Sequence, residues 1–280
     1  MNYQEELNKI AENALLEDAY KEDVTSNILI DKKENITCSI ITRTQGVVSG
    51  VEIACKVYNL INPKLKIKVL KESGSFCNRG DVILALDGPV RDILRGQRVV
   101  ENFLQRLSSI ATLTQKYVRE VQNTECHIID SRNTTPGLRI LEKRAVIDGG
   151  GFNDISKLNE RIVITRNHLM VNNNIKELID KIKKSKEKKD LLIQIEVEDM
   201  NDFDNAVNAD CDIIFLNEFK IEQIIDAVEK NNKQKILVAK GNYSLSQVSS
   251  IAKTGIDYIS LESITSNIKP LDISVRFYKH

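Results

Sequence analysis

Cations, hydroxyls and a few carboxylates gather in short segments of this sequence. DSRNTTPGLRILEK carries Arg132, Arg139 and Lys143, and ITRNH carries Arg166 and His168. Further along, IEVE holds Glu196, FLNEF holds Asn217 and Glu218, and VAKGN holds Lys240, Gly241 and Asn242. A guanidinium is a planar fork that donates two parallel hydrogen bonds to a carboxylate or phosphate. Any one of these arginines serves equally well in a surface ion pair, but the set together favours anion binding. Gly241 lies between a strand-like and a helix-like run.

Composition narrows the field. The 280 residues are 41% hydrophobic and 29% charged, with formal charge zero, so no global field favours nucleic acid or an anionic membrane. The densest basic run, Lys181–Lys189, reads as the solvated end of a helix. No apolar run approaches the roughly 20 residues that span a bilayer. The N-terminal stretch is charged throughout and reads as an amphipathic helix rather than a signal peptide, with Leu7, Ile10, Ala11, Ala14 and Leu15 on one face. Five cysteines stand at 38, 55, 77, 126 and 211 without a CxxC pair, beside only three histidines. That spacing argues against structural zinc and a disulfide framework, and for reduced thiols in a cytoplasmic protein.

The elements that must position these residues fall into two rhythms. From Ile36 to about Leu94 the chain alternates apolar and polar residues and breaks at SG, RG and DG, with a helix expected at Val51–Ile61. This predicts an α+β domain of antiparallel strands. From His127 onward, short apolar runs recur at 127–130, 161–165, 191–197, 212–216, 235–239 and 257–261. Helix-length amphipathic stretches lie between the later ones, at 175–186, 200–209, 221–231 and 245–253. Six such units predict parallel strands with outer helices, either an incomplete barrel or an open doubly wound sheet. A helix at Asn102–Val118 joins the halves. The expected domains are residues 1–108 and 109–269, with the last apolar run, about 270–280, free to return to the first.

The segments NFLQRLSSIAT, TTPGLRILEK, GGGFN and ITRNH, in this order, resemble the quinolinate phosphoribosyltransferase family, the decarboxylating enzymes of NAD synthesis. The similarity runs through RTQGVVSGVEIACKVY, IEVEDMNDFDNAV, CDIIFLNEF and AKTGIDYISLESIT, nearly the whole chain. It implies an N-terminal α/β sandwich followed by an incomplete, six-stranded α/β barrel. It also implies a homodimer or higher homo-oligomer, in which one subunit's first domain covers the other's barrel mouth. The implied chemistry is ribosylation of quinolinate at its ring nitrogen by phosphoribosyl pyrophosphate with Mg²⁺, followed by loss of a carboxylate. On this resemblance Arg98, Arg132, Arg139, Lys143 and His168 bind the acceptor's carboxylates. Glu196 serves catalysis and the metal, Glu218 is a second metal candidate, and Arg166, Lys240, Gly241 and Asn242 are the phosphate contacts.

The chain also departs from the family pattern. A His-Arg pair after GGGxN is replaced by Asp154 and Ile155. A lysine after the strand-end arginine is Asn133, and a lysine and aspartate before Asn-His are Thr165 and Arg166. An aspartate is Asn217, a glutamate before the phosphate loop is Val238, and a glycine at the second phosphate-facing turn is Glu262. These losses weigh against phosphoribosyl pyrophosphate as a ligand. They support, as an alternative, a repurposed or catalytically silent relative that binds a small carboxylate or a protein partner. A carboxylate about 4 Å from a phosphate costs roughly 4 kcal/mol at an effective dielectric near 20, close to three decades in affinity. Glu262→Gly is therefore expected to tighten phosphate binding in a calorimetric titration. No gain would contradict this placement of the loop.

Overall fold

The computed structural model describes residues 3–185 and 190–278. The chain divides into two compact units. The first comprises residues up to Gln115, Thr134–Gly150, and those from Ile264 on; the second comprises Lys116–Asn133 and Gly151–Ser263.

The first unit opens with α1 (Tyr3–Glu17), which buries Leu7, Ala11 and Leu15, the i, i+4, i+8 stripe of its apolar face. In α2 (Val24–Leu29), Asp23 caps the start by accepting from the Ser26 N–H. Four strands make an antiparallel sheet in the order β12-β1-β5-β3: β1 (Asn35–Thr42), β3 (Lys66–Val69), β5 (Val82–Pro89) and β12 (Ile273–Phe277). The last run of the chain thus pairs with the first strand, Cys38 opposite Phe277 and Thr42 opposite Ile273. Two short strands, β2 (Gly46–Val47) and β4 (Phe76–Cys77), pair separately. Between β2 and β3 runs α3 (Val51–Ile61), at the bounds the sequence predicts. The long α4 (Val90–Val121) follows β5 without an intervening turn.

Unit 2 holds six parallel strands: β6 (His127–Ile129), β7 (Ile162–Ile164), β8 (Ile193–Val197), β9 (Ile213–Asn217), β10 (Ile236–Lys240) and β11 (Tyr258–Ser260). Each coincides with one of the six apolar runs. Their order, β6-β11-β10-β9-β8-β7, decides between the two topologies the sequence left open. A doubly wound sheet reverses direction at a switch point. Here every neighbour is sequential, and the first strand pairs with the last, as in a barrel opened between β6 and β7. Phe152 forms a lone parallel bridge to Ile129 on that open edge.

The intervening helices are α5 (Arg139–Asp148, in the first unit), α6 (Arg166–Val171), α7 (Ile175–Lys184), α8 (Met200–Val207), α9 (Ile221–Asn231) and α10 (Leu245–Ala252), followed by the single turn α11 (Ser263–Ser266). Several starts are capped from the sequence: Asn174 accepts from Glu177, Asp199 from Asp202 and Ser244 from Gln247. Of the basic run, Lys181 pairs with Glu177 at 2.8 Å and Lys183 with Asp210; residues 186–189 lie outside the described residues. Among the described residues, no helix is long and apolar enough to cross a membrane. All five cysteines are free thiols, and burial raises the thiol pKa of each.

Candidate active site

In parallel strands, residues in register share a face and form layers. Ile129, Ile213, Phe215 and Val238 cluster there with Tyr258 against them, an apolar floor. Val238 belongs to this floor and is 2% exposed. The next layer toward the strands' C-terminal ends is polar: Lys240 is in register with Asn217 on one side and with Ser260 on the other. In parallel α/β barrels that end is where ligands bind.

Glu196 organises the floor's edge. It is 6% exposed, and its carboxylate lies 3.4 Å from Arg132 Nη2 and 3.5 Å from Lys240 Nζ. Gln194, two residues earlier and so on the same face of β8, offers Nε2 to Glu196 Oε1 at 3.4 Å. Gln194 Oε1 in turn accepts from Arg161 at 2.6 Å, and Arg161 pairs with Asp154 at 2.9 Å. Two carboxylates and three cations therefore share one chain of contacts, leaving a single positive charge in excess beside Arg132 and Lys240. Asp154 is neutralised by Arg161, and Ile155 beside it is buried. Arg161 and Gln194 were not among the residues the sequence singled out. Gln194 was visible in principle, as an interior polar residue in the apolar run IQIEV.

The loop after β10 is closely engaged. Asn242 N–H donates to Glu218 Oε1 at 3.3 Å, and Gly241 N–H to the Ser260 carbonyl at 3.3 Å. Arg166 pairs with Glu198 at 3.2 Å on an exposed surface. His168, also exposed, turns Nδ1 back to its own helix start, where it accepts from the Thr165 N–H at 3.1 Å. That contact places the proton of the neutral ring on Nε2. Asn133 N–H donates to Ser131 Oγ at 3.1 Å.

The first unit carries the other predicted cations. Arg98 is 74% exposed at its side chain and pairs with Asp18 at 2.7 Å. Arg139 and Lys143, one helical turn apart on α5, lie on one face. Arg139 donates to Thr134 Oγ1 at 3.0 Å, and Lys143 is 4% exposed. A tight turn starts this helix: the Leu138 N–H bonds to the Thr135 carbonyl, Pro136 fills the second position, and Gly137 takes φ +82 at the third. Only a type II turn asks for proline then a positive φ. Glu142, fully buried, anchors it. One carboxylate oxygen accepts from Arg106 at 2.6 Å and the other from the Thr135 N–H at 3.0 Å, while Arg106 also reaches Thr135 Oγ1 at 2.6 Å. Neither Arg106 nor Glu142 was identified by sequence reasoning as functional.

The chain matches the family model for the quinolinate phosphoribosyl transferase N-terminal domain over residues 23–108, and that for its C-terminal domain over residues 110–276. It belongs to the quinolinate phosphoribosyl transferase family. A probable nicotinate-nucleotide pyrophosphorylase (carboxylating) of Bacillus subtilis is 32% identical, covering 96% of this chain and 93% of that protein. Two solved structures titled nicotinate-nucleotide pyrophosphorylase are similar throughout. That of Ehrlichia chaffeensis has a TM-score of 0.92 at 31% identity, over 96% of this chain and 98% of its own. That of Francisella tularensis has 0.93 at 30%, over 99% and 98%.

Within this family frame, the magnesium that the resemblance implies finds no cage made by the chain itself. Glu196 is held between two cations, and Glu218 faces a backbone amide. No group of three or more His, Cys, Asp or Glu side chains converges among the described residues. These side chains do not fit a protein-held metal ion.

Proposed function

We propose that this protein transfers the phosphoribosyl group of phosphoribosyl pyrophosphate to the ring nitrogen of quinolinate, with loss of the neighbouring carboxylate, in NAD biosynthesis. The observation that carries this reading is the convergence of Arg132 and Lys240 on the buried Glu196 at the strand ends. Similarity to nicotinate-nucleotide pyrophosphorylases over nearly the full chain supports it.

The quinolinate nitrogen attacks C1′ of the ribose. The C1′–oxygen bond breaks, and pyrophosphate leaves with the electron pair. The ring nitrogen then carries positive charge, so the adjacent C–carboxylate bond breaks as CO₂ and a proton from solvent takes its place. Arg132 orients an acceptor carboxylate through its fork. Glu196 faces the positive charge that develops on the ribosyl carbon, and Lys240 offsets phosphate charge. By the family resemblance, Arg98, Arg139 and Lys143 are further candidates for the acceptor's carboxylates. Magnesium, if it takes part, would come with the donor and would neutralise charge on its pyrophosphate. A cytoplasmic homodimer is part of the same reading.

One observation favours a second reading, a family member that binds a small carboxylate without using the donor: a carboxylate of the chain itself lies against the phosphate loop. Calorimetry separates the two. Heat on titrating phosphoribosyl pyrophosphate with Mg²⁺, and again with quinolinate, supports transfer. Heat with quinolinate alone supports the second reading.

A further inference from the structure

In the loop Lys240–Gly241–Asn242 one backbone donor, the Asn242 N–H, faces a carboxylate of the chain itself, that of Glu218. Glu218, one residue past β9, holds φ +54, a left-handed conformation uncommon for a side chain of this size. Its backbone N–H donates to the Lys240 carbonyl at 2.8 Å, which ties this turn to the end of β10. Its carboxylate then reaches across the loop. One oxygen accepts from Asn242 N–H at 3.3 Å, and the other lies 3.1 Å from where a Cβ on Gly241 would stand. The Tyr243 ring also lies close, 2.8 Å from that same point, so a larger residue at 241 would have to push these side chains aside. Burial, and then the charge of Glu218, push the Tyr243 phenol pKa up, as expected of an acid held beside it.

Two neighbouring amides are also engaged. Gly241 N–H donates to the Ser260 carbonyl, and Ser244 N–H to Gln247 Oε1 at 2.9 Å. A phosphate approaching Asn242 N–H meets an anion already there. Two anions do not share one donor, so the newcomer must displace the carboxylate.

We propose that Glu218 is a specificity-determining residue, an internal anion in the phosphate seat of the loop after β10, displaced whenever a phosphate group binds there. The inference rests on the reading of this loop as the donor's phosphate contact. It makes the wild-type site discriminate against phosphate-bearing ligands.

The test is titration of inorganic phosphate into wild-type protein, Glu218→Gln and Glu229→Gln. Glu218→Gln keeps shape and removes charge. Glu229→Gln makes the same net-charge change at an exposed position on α9. Phosphate is expected to bind Glu218→Gln about tenfold more tightly than wild type, the scale of one lost charged contact at a solvated position, with Glu229→Gln unchanged. Equal tightening in both variants, or none in Glu218→Gln, overturns the proposal. A turnover assay on the same samples keeps the two claims apart. Tighter phosphate binding without product leaves this inference standing and sinks the transferase reading. Product with unaltered phosphate affinity does the reverse.

Discussion

Arg132→Ala is expected to lower kcat/KM for quinolinate by about two to three orders of magnitude. Truncating a partly buried, charge-assisted contact to a bound carboxylate costs about 2–5 kcal/mol. Arg132 also neutralises Glu196, which is nearly buried. Without the guanidinium, Lys240 alone faces that carboxylate, and the excess positive charge of the site disappears. Arg132→Lys restores charge but not the planar fork, so it should recover only part of the loss. Steady-state kinetics, with quinolinate affinity measured by calorimetry, distinguishes a binding defect from a slower chemical step. A kcat/KM within threefold of wild type would remove Arg132 from the site.

The largest effect on stability is expected at Glu142. Glu142→Ala leaves Arg106 without its carboxylate and the Thr135 N–H without an acceptor. Breaking one side of a buried ion pair costs about 3–5 kcal/mol. Arg106 keeps a third of its side chain in solvent, which discounts the figure to about 3 kcal/mol. The measurement is urea unfolding of the first unit's signal, with the midpoint lowered and the slope unchanged. Glu142→Gln, which still accepts from Thr135, should lose less. A change under about 1 kcal/mol for the alanine variant would mean that the Thr135–Leu138 turn holds itself without Glu142.

The barrel was legible because its strands are buried on both faces and read as short apolar runs, whereas amphipathic helices read at a period near 3.6. The start of α4 was not: it begins at Val90, directly after the Asp87–Gly88–Pro89 break that reads as a turn rather than a helix start, so the sequence placed only Asn102–Val118. Strand order was also beyond the pattern, since periodicity carries no pairing information. Pairing β6 with β11 settled it. The structure brings Arg132, Glu196 and Lys240, each named from a recognisable segment, into contact with one another. Arg161 and Gln194 escaped because their meaning comes from register: only when β7 lies beside β8 does Arg161 reach Gln194. His168 shows the opposite case. Its partner Thr165 stands three residues earlier, the spacing of a helix-start capping box, so its local contact was there to be read.

The most direct test is a single reaction. Purified protein is mixed with phosphoribosyl pyrophosphate, Mg²⁺ and quinolinate carrying an isotopic label in the carboxylate beside the ring nitrogen. Labelled CO₂ and nicotinate mononucleotide are expected in equal amounts, both abolished in Glu196→Ala. Quinolinate that binds yet yields neither product, under any donor concentration the assay can reach, would contradict the account.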